Sequence, residues 1–172
     1  ENLINFKVNK KGDLIKKKIF DIKNIIPKKF DYLCHLNTIN IEKNFLYLLF
    51  HNLSQYTNLN SKILKFKLIK NSLKFISVYK NFDKFNLASA HNLNLKNNII
   101  LNSGQSKLII NDKIIHFKNM FLKGFKIKKN FLIIGCNSNY HKKKFSGANN
   151  YLIFIDRKKN KIKKKIKFES NI

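Results

Sequence analysis

Two histidines, two asparagines and a lysine recur at one place in the pattern of this sequence: His35, Asn37, His91, Asn92 and Lys123. Asn37, His91 and Lys123 each stand two residues ahead of the first apolar residue of an alternating stretch, at Ile39, Leu93 and Phe125. Imidazole and amide groups gathered at one point could bind a metal, a phosphate or sulfate, or a sugar hydroxyl, and Lys123 adds a charge suited to an anion. No carboxylate stands among them. That argues against calcium, a hard cation that wants several oxygen ligands. The same side chains would equally serve as satisfied polar residues that fix the strand-to-strand turns.

Other chemistry-bearing residues read less sharply. His51, Asn52, Asn102 and Ser103 end second strands and would cap loops, and His116 falls on an outer, solvent-facing strand. Cys136 and His141 are close in a Lys-rich stretch, but a nucleophile pair needs spatial adjacency and an orienting group, which spacing alone does not supply. Cys34 and Cys136 are too few for a disulfide framework and lack Cys-x-x-Cys spacing, so two reduced, mostly buried thiols and no metal centre are expected. Dinucleotide, P-loop, His-Glu-x-x-His and nucleophile-elbow motifs are missing, so neither a catalytic residue nor a cofactor is assigned.

The elements that must position the five residues repeat. Ile39-x-Ile41, Leu93-x-Leu95 and Phe125-x-Ile127 are each followed by an Asn-containing turn and then a β-rich run beginning at Phe45, Ile99 or Phe131. Period-two alternation, a short Asn turn and a β-rich run make a hairpin. A second strand pair follows each time: Ile63 to Val78, Leu108 to Phe117, and Tyr151 to Phe168. Each unit is therefore four antiparallel strands, and one further hairpin, around a turn near Gly12, precedes them.

Four-stranded sheets recurring at about 40 residues are the signature of a β-propeller, whose blades stand around a central channel. The expected fold is all-β, with an outer hairpin over 1–31 and blades over about 32–84, 85–119 and 120–172. Half a blade plus three does not close a ring of four to eight blades. With no initiator Met at Glu1, the sequence is expected to be a fragment whose remaining blades lie elsewhere. Inner strands would bring His35, Asn37, His91, Asn92 and Lys123 to one mouth of the channel. The run Ile162-Lys163-Lys164-Lys165-Ile166-Lys167-Phe168 suits an outermost strand whose lysines guard the edge.

Several words of the sequence carry a resemblance. His35-Leu36-Asn37-Thr38-Ile39 is similar to the His-x-Asn-Ser/Asp blade opening of propeller families that include the arylsulfotransferase-like ones. Ala90-His91-Asn92-Leu93, Leu101-Asn102-Ser103-Gly104, Phe121-Leu122-Lys123-Gly124-Phe125 and Ile134-Gly135-Cys136-Asn137-Ser138 resemble a bacterial β-propeller family described only as a domain of unknown function. There the third word usually carries Arg-Gly, and here Lys123 stands in for the Arg. The resemblance spans roughly residues 20 to 170 and implies a propeller, not a reaction.

Charge is the feature most easily over-read. The chain has 36 Lys and Arg against 9 Asp and Glu, a formal net charge of +27. Only Arg157 is an arginine, and Gly, Pro and Trp are scarce while Lys, Asn, Ile and Phe abound. Those preferences follow A/T-rich codons. A nucleic-acid binder would keep more arginine, which reads phosphate and guanine bidentately, so nucleic acid is discounted as a partner. The leading expectation is a propeller that binds, or acts on, a small polar or anionic ligand at the channel mouth. The alternatives are an RNA-binding or ribosomal protein of an A/T-rich genome, supported by charge and a loose likeness of Leu108 to Gly124 to the S4-type hairpin, and a protein-interaction scaffold. No apolar run is long enough to span a membrane, and no basic and apolar leader opens the chain, so a cytoplasmic location is expected.

Overall fold

The computed structural model describes residues 2–8, 10–11, 14–30, 35–51, 61–69, 72–138 and 149–168. Strands β1 (Asn2–Val8) and β2 (Leu14–Asp21) pair as an antiparallel hairpin, followed by one helical turn, α1 (Ile22–Ile25). Three four-stranded antiparallel sheets come next, each a meander in chain order. The first is β3 (His35–Glu42), β4 (Phe45–His51), β5 (Lys62–Ile69) and β6 (Ser72–Val78). The second is β7 (Ala90–Asn94), β8 (Ile99–Asn102), β9 (Lys107–Ile110) and β10 (Lys113–His116). The third is β11 (Met120–Lys128), β12 (Phe131–Ser138), β13 (Asn150–Asp156) and β14 (Lys161–Phe168). The chain is all-β, and its repeated four-stranded units are blades of the propeller type.

The turns explain why the strands stop where they do. Lys43, Lys129, Asn111 and Asp112 adopt positive φ at the hairpin corners, where the backbone twist of a tight turn demands it and Asn or Asp tolerates it best. β3–β4 and β11–β12 close through two residues. The middle sheet differs: Asn94 pairs with Ile99, leaving residues 95–98 as a four-residue loop in which Asn94 Oδ1 accepts a hydrogen bond from Asn97 N at 3.0 Å.

β4, β8 and β9 are buried on both faces, which is why they read as apolar runs, whereas β12 and β13 alternate between a buried face and a half-buried one. One face of the first sheet, with Leu48, Phe50, Leu64 and Phe66, packs on Phe20, Ile22, Ile26 and Phe30. Its other face, with Tyr47, Leu49 and Ile63, meets Leu93, Ile100 and Ile109 of the second sheet. Across the second sheet, Ile99, Leu101, Leu108 and Ile110 pack on Leu132, Ile134, Ile153 and Ile155 of the third. Each such side chain contributes roughly 1.5–3 kcal/mol when fully buried. The outermost strand β14 is exposed along most of its length, and Lys165 Nζ lies 4.0 Å from the Tyr151 ring centroid. Its lysines shield an edge and cover neighbouring rings. Among the described residues no helix is long and apolar enough to cross a membrane.

Arg157, the sole arginine, is a clamp at the turn end of these sheets. Its Nη1 donates to Lys129 O at 3.1 Å and its Nη2 to Asn97 Oδ1 at 2.9 Å, so one guanidinium joins the β11–β12 turn to the loop of the second sheet. Lysine has neither the fork nor the reach to make both bonds. Arg157→Lys is expected to lower stability by about 1–2 kcal/mol in urea unfolding, with no change in strand content by circular dichroism.

Candidate functional site

Each innermost strand carries a β-bulge near its start, between Leu36 and Thr38, His91 and Leu93, and Leu122 and Gly124. The extra residues are Asn37, Asn92 and Lys123. A bulge takes one residue out of the ladder and re-aims it, which is how these positions turn away from their own sheets. Asn92 takes the left-handed conformation, φ 48°, that asparagine accepts more readily than most residues. The hairpin alignment matched Asn37 with His91 and Lys123; the bulge instead matches Asn37 with Asn92 and Lys123. The four-residue loop of the middle sheet causes the offset, because it shifts that sheet's pairing relative to its turn.

The inner strands β3 and β7, and β7 and β11, lie against each other. Asn37 Oδ1 accepts from Asn92 N at 3.3 Å and from Thr38 Oγ1 at 3.2 Å, and Asn92 Nδ2 donates to Lys123 O at 2.7 Å. Asn40 adds a second tie: its Nδ2 donates to Leu93 O at 2.6 Å and its Oδ1 accepts from Leu95 N at 3.3 Å. Asn37 and Asn92 thus commit amide groups to holding neighbouring strands together.

The ring side chains form a row. His35 and His51 centroids are 4.5 Å apart, His51 and His91 5.4 Å, and the Phe121 ring meets His91 edge-on at 5.1 Å. Lys123 closes the row, its Nζ 4.6 Å from the Phe121 centroid. All five residues expected to converge therefore lie in the row or its tie: His35, His91 and Lys123 in the row, Asn37 and Asn92 in the tie. His51 was expected as a loop cap; it is the central member. The register His35↔His51 contains that information, but it can be read only once the bulge at Asn37 is known.

Burial sets the protonation of the row. His51 is only 6% exposed, and desolvation, reinforced by His35 and His91, lowers its pKa to about 4. Its Nδ1 is buried with no hydrogen-bond partner. His91 is also lowered, chiefly by burial, with Lys123 and His35 adding repulsion and the Ser89 carbonyl opposing; its Nδ1–H donates to Ser89 O at 2.7 Å. At neutral pH these two imidazoles are neutral and Lys123 supplies the cationic charge beside them.

The remaining candidates sort by environment. Asn102 is fully buried and fixes its loop, accepting from Ala88 N and donating to Phe85 O, and Ser103 Oγ donates to Leu122 O. His116 is exposed on β10. Cys136 is buried beside Met120, and desolvation pushes its thiol up to about 11, which makes it a poor nucleophile. Cys34, Asn52 and His141 lie outside the described residues. Among the described residues no group of three His, Cys, Asp or Glu side chains is arranged to hold a metal ion. Fold and site together define a propeller-type blade protein with a row of imidazoles at the inner-strand ends. No family model, curated protein or solved structure matches the chain.

A depressed His51 pKa means that the unfolded chain binds the proton more tightly than the native one between about pH 4 and 6.5. Stability is therefore complete above pH 6.5 and falls on acidification, by up to about 3 kcal/mol for this group. Denaturant unfolding at pH 7 and pH 4.5 should show that loss in the parent chain and a clearly smaller one in His51→Phe.

Proposed function

We infer that the chain is a binding domain which holds a small polar or anionic ligand where the bulged ends of β3, β7 and β11 meet. The observation that carries this reading is the row itself: neutral His51 and His91 beside the Lys123 ammonium, brought together from three separate sheets. His91, whose Nδ1–H is committed to Ser89 O, offers Nε2 as an acceptor while neutral and as a donor once protonated, Lys123 supplies charge, and the Asn37–Asn92 tie keeps the strands in position. A bound anion favours imidazolium, so ligand binding draws a proton onto the row. The likeness of the words around His35, His91 and Lys123 to propeller blade openings supports the same placement without naming a reaction. The RNA-binding reading has little to work with here, because the one guanidinium is occupied by Lys129 and Asn97.

Calorimetric titration with inorganic phosphate, sulfate and glucose tests this. Lys123→Met keeps the aliphatic stem over Phe121 and removes the charge. It should weaken anion binding by about tenfold or more, with a melting temperature within about 2 °C of the parent. Sulfate, whose charge is constant over the range, should bind more tightly at about pH 5 than at about pH 7, because both lowered imidazoles take up protons only below 6.5. Equal sulfate binding by parent and variant overturns the anion reading, and unfolding of His91→Ala with no ligand effect in Lys123→Met assigns the row to structure alone.

A further inference from the structure

Gly135 is an odd residue for its place. It lies inside β12, a strand paired on both sides, opposite Gly124 on β11 and Leu152 on β13. Glycine in a strand interior weakens the strand unless something needs the missing side chain. Gly104 shows one such need: a Cβ there would stand 2.8 Å from Ala88 O. Gly135 has no such neighbour. A Cβ built on it meets nothing within 4 Å, and its backbone is outside the left-handed region.

An open cavity of about 390 Å³ lies over this glycine, within the size range of small-molecule sites. Tyr151, Leu152 and Phe168 give it mostly apolar walls, Lys123, Asn137 and Asn150 are its polar lining, and none of its described lining residues is acidic. Asn137 Oδ1 is buried with no hydrogen-bond partner among the described residues, an acceptor that costs stability as it stands. A polyol would need more polar partners than these walls offer. A flat ring can lie on the bare backbone of Gly135, where any side chain would hold it off.

We propose that this cavity binds an aromatic anion: a flat ring over Gly135, a ring hydroxyl or amine donating to Asn137 Oδ1, and an anionic group paired with Lys123 Nζ. The site shares Lys123 with the imidazole row, and it rests on the reading of that row through this residue alone. Two sources share the chemistry, a hydroxylated aryl carboxylate and a purine nucleotide.

Titration of the parent chain with 4-hydroxybenzoate and, separately, with adenosine 5′-monophosphate tests the proposal and distinguishes the sources. Gly135→Val fills the floor of the cavity and should fold with an unchanged or higher melting temperature, because valine favours a strand. It should weaken the bound probe by tenfold or more, with Gly135→Ala intermediate and Lys118→Met, an exposed charge control, within threefold of the parent. Binding of neither probe, or unchanged binding in both Gly135 variants, overturns the site. If Gly135→Val does not fold, the Gly135→Ala result decides. Loss in Lys123→Met with full binding in both Gly135→Ala and Gly135→Val places the ligand on the imidazole row, so the cavity fails while the reading of the row stands.

Discussion

Three sheets that end beside one another at their inner strands cannot be joined there by a β-ladder, since each inner strand already pairs within its own sheet on one side. Asparagine amides replace the ladder in this protein. Each carries a donor and an acceptor on one short stem, so it can bond a foreign backbone as another peptide would. Asn40 does this across 53 residues to Leu93 O and across 55 to Leu95 N. Asn37 and Asn92 extend the tie to Lys123. The ring contacts of His51 with His91 and of His91 with Phe121, and the direction of Lys123, depend on that spacing. Apolar packing sets how far apart the sheets stand, and the amides set how their inner edges are aligned.

The same arrangement accounts for neutral imidazoles in a chain of formal charge +27. Lysines occupy β14, the turns and the rims, where water screens them. His51 is buried and His91 half-buried, and a charge on either would be both desolvated and repelled by its neighbours. Net charge and local charge are thus separated by burial: the surface is cationic, and His51 and His91 stay uncharged until acid changes them.

Much of the architecture was legible in the residues. Asn turns after Ile41, Leu95 and Ile127 marked the inner hairpins, and the apolar runs after them marked the second strands. The bulges were not legible, because a residue removed from a ladder leaves no trace in a period-two pattern. That one blind spot misplaced His91 relative to Asn37 and Lys123 and hid the pairing of His35 with His51. His51 itself looked like the end of an apolar run, where a polar residue is ordinarily a loop cap. Arg157 was noticed for its rarity as a cation, whereas its importance lies in the shape of its fork.

Every ladder in the described fold joins strands consecutive in the chain. Loop-closure cost is small for such pairings, so each sheet can form from its own stretch of sequence before it meets its neighbours. Among the described residues the contacts that span sheets are of another kind: apolar faces, rings, side-chain amides and hydroxyls, and one guanidinium. Slow hydrogen exchange should therefore divide along the seams, with amides of β4, β8 and β12 exchanging only through opening of their own sheet while the sheets part from one another at lower free energy. The molecule opens between its leaves.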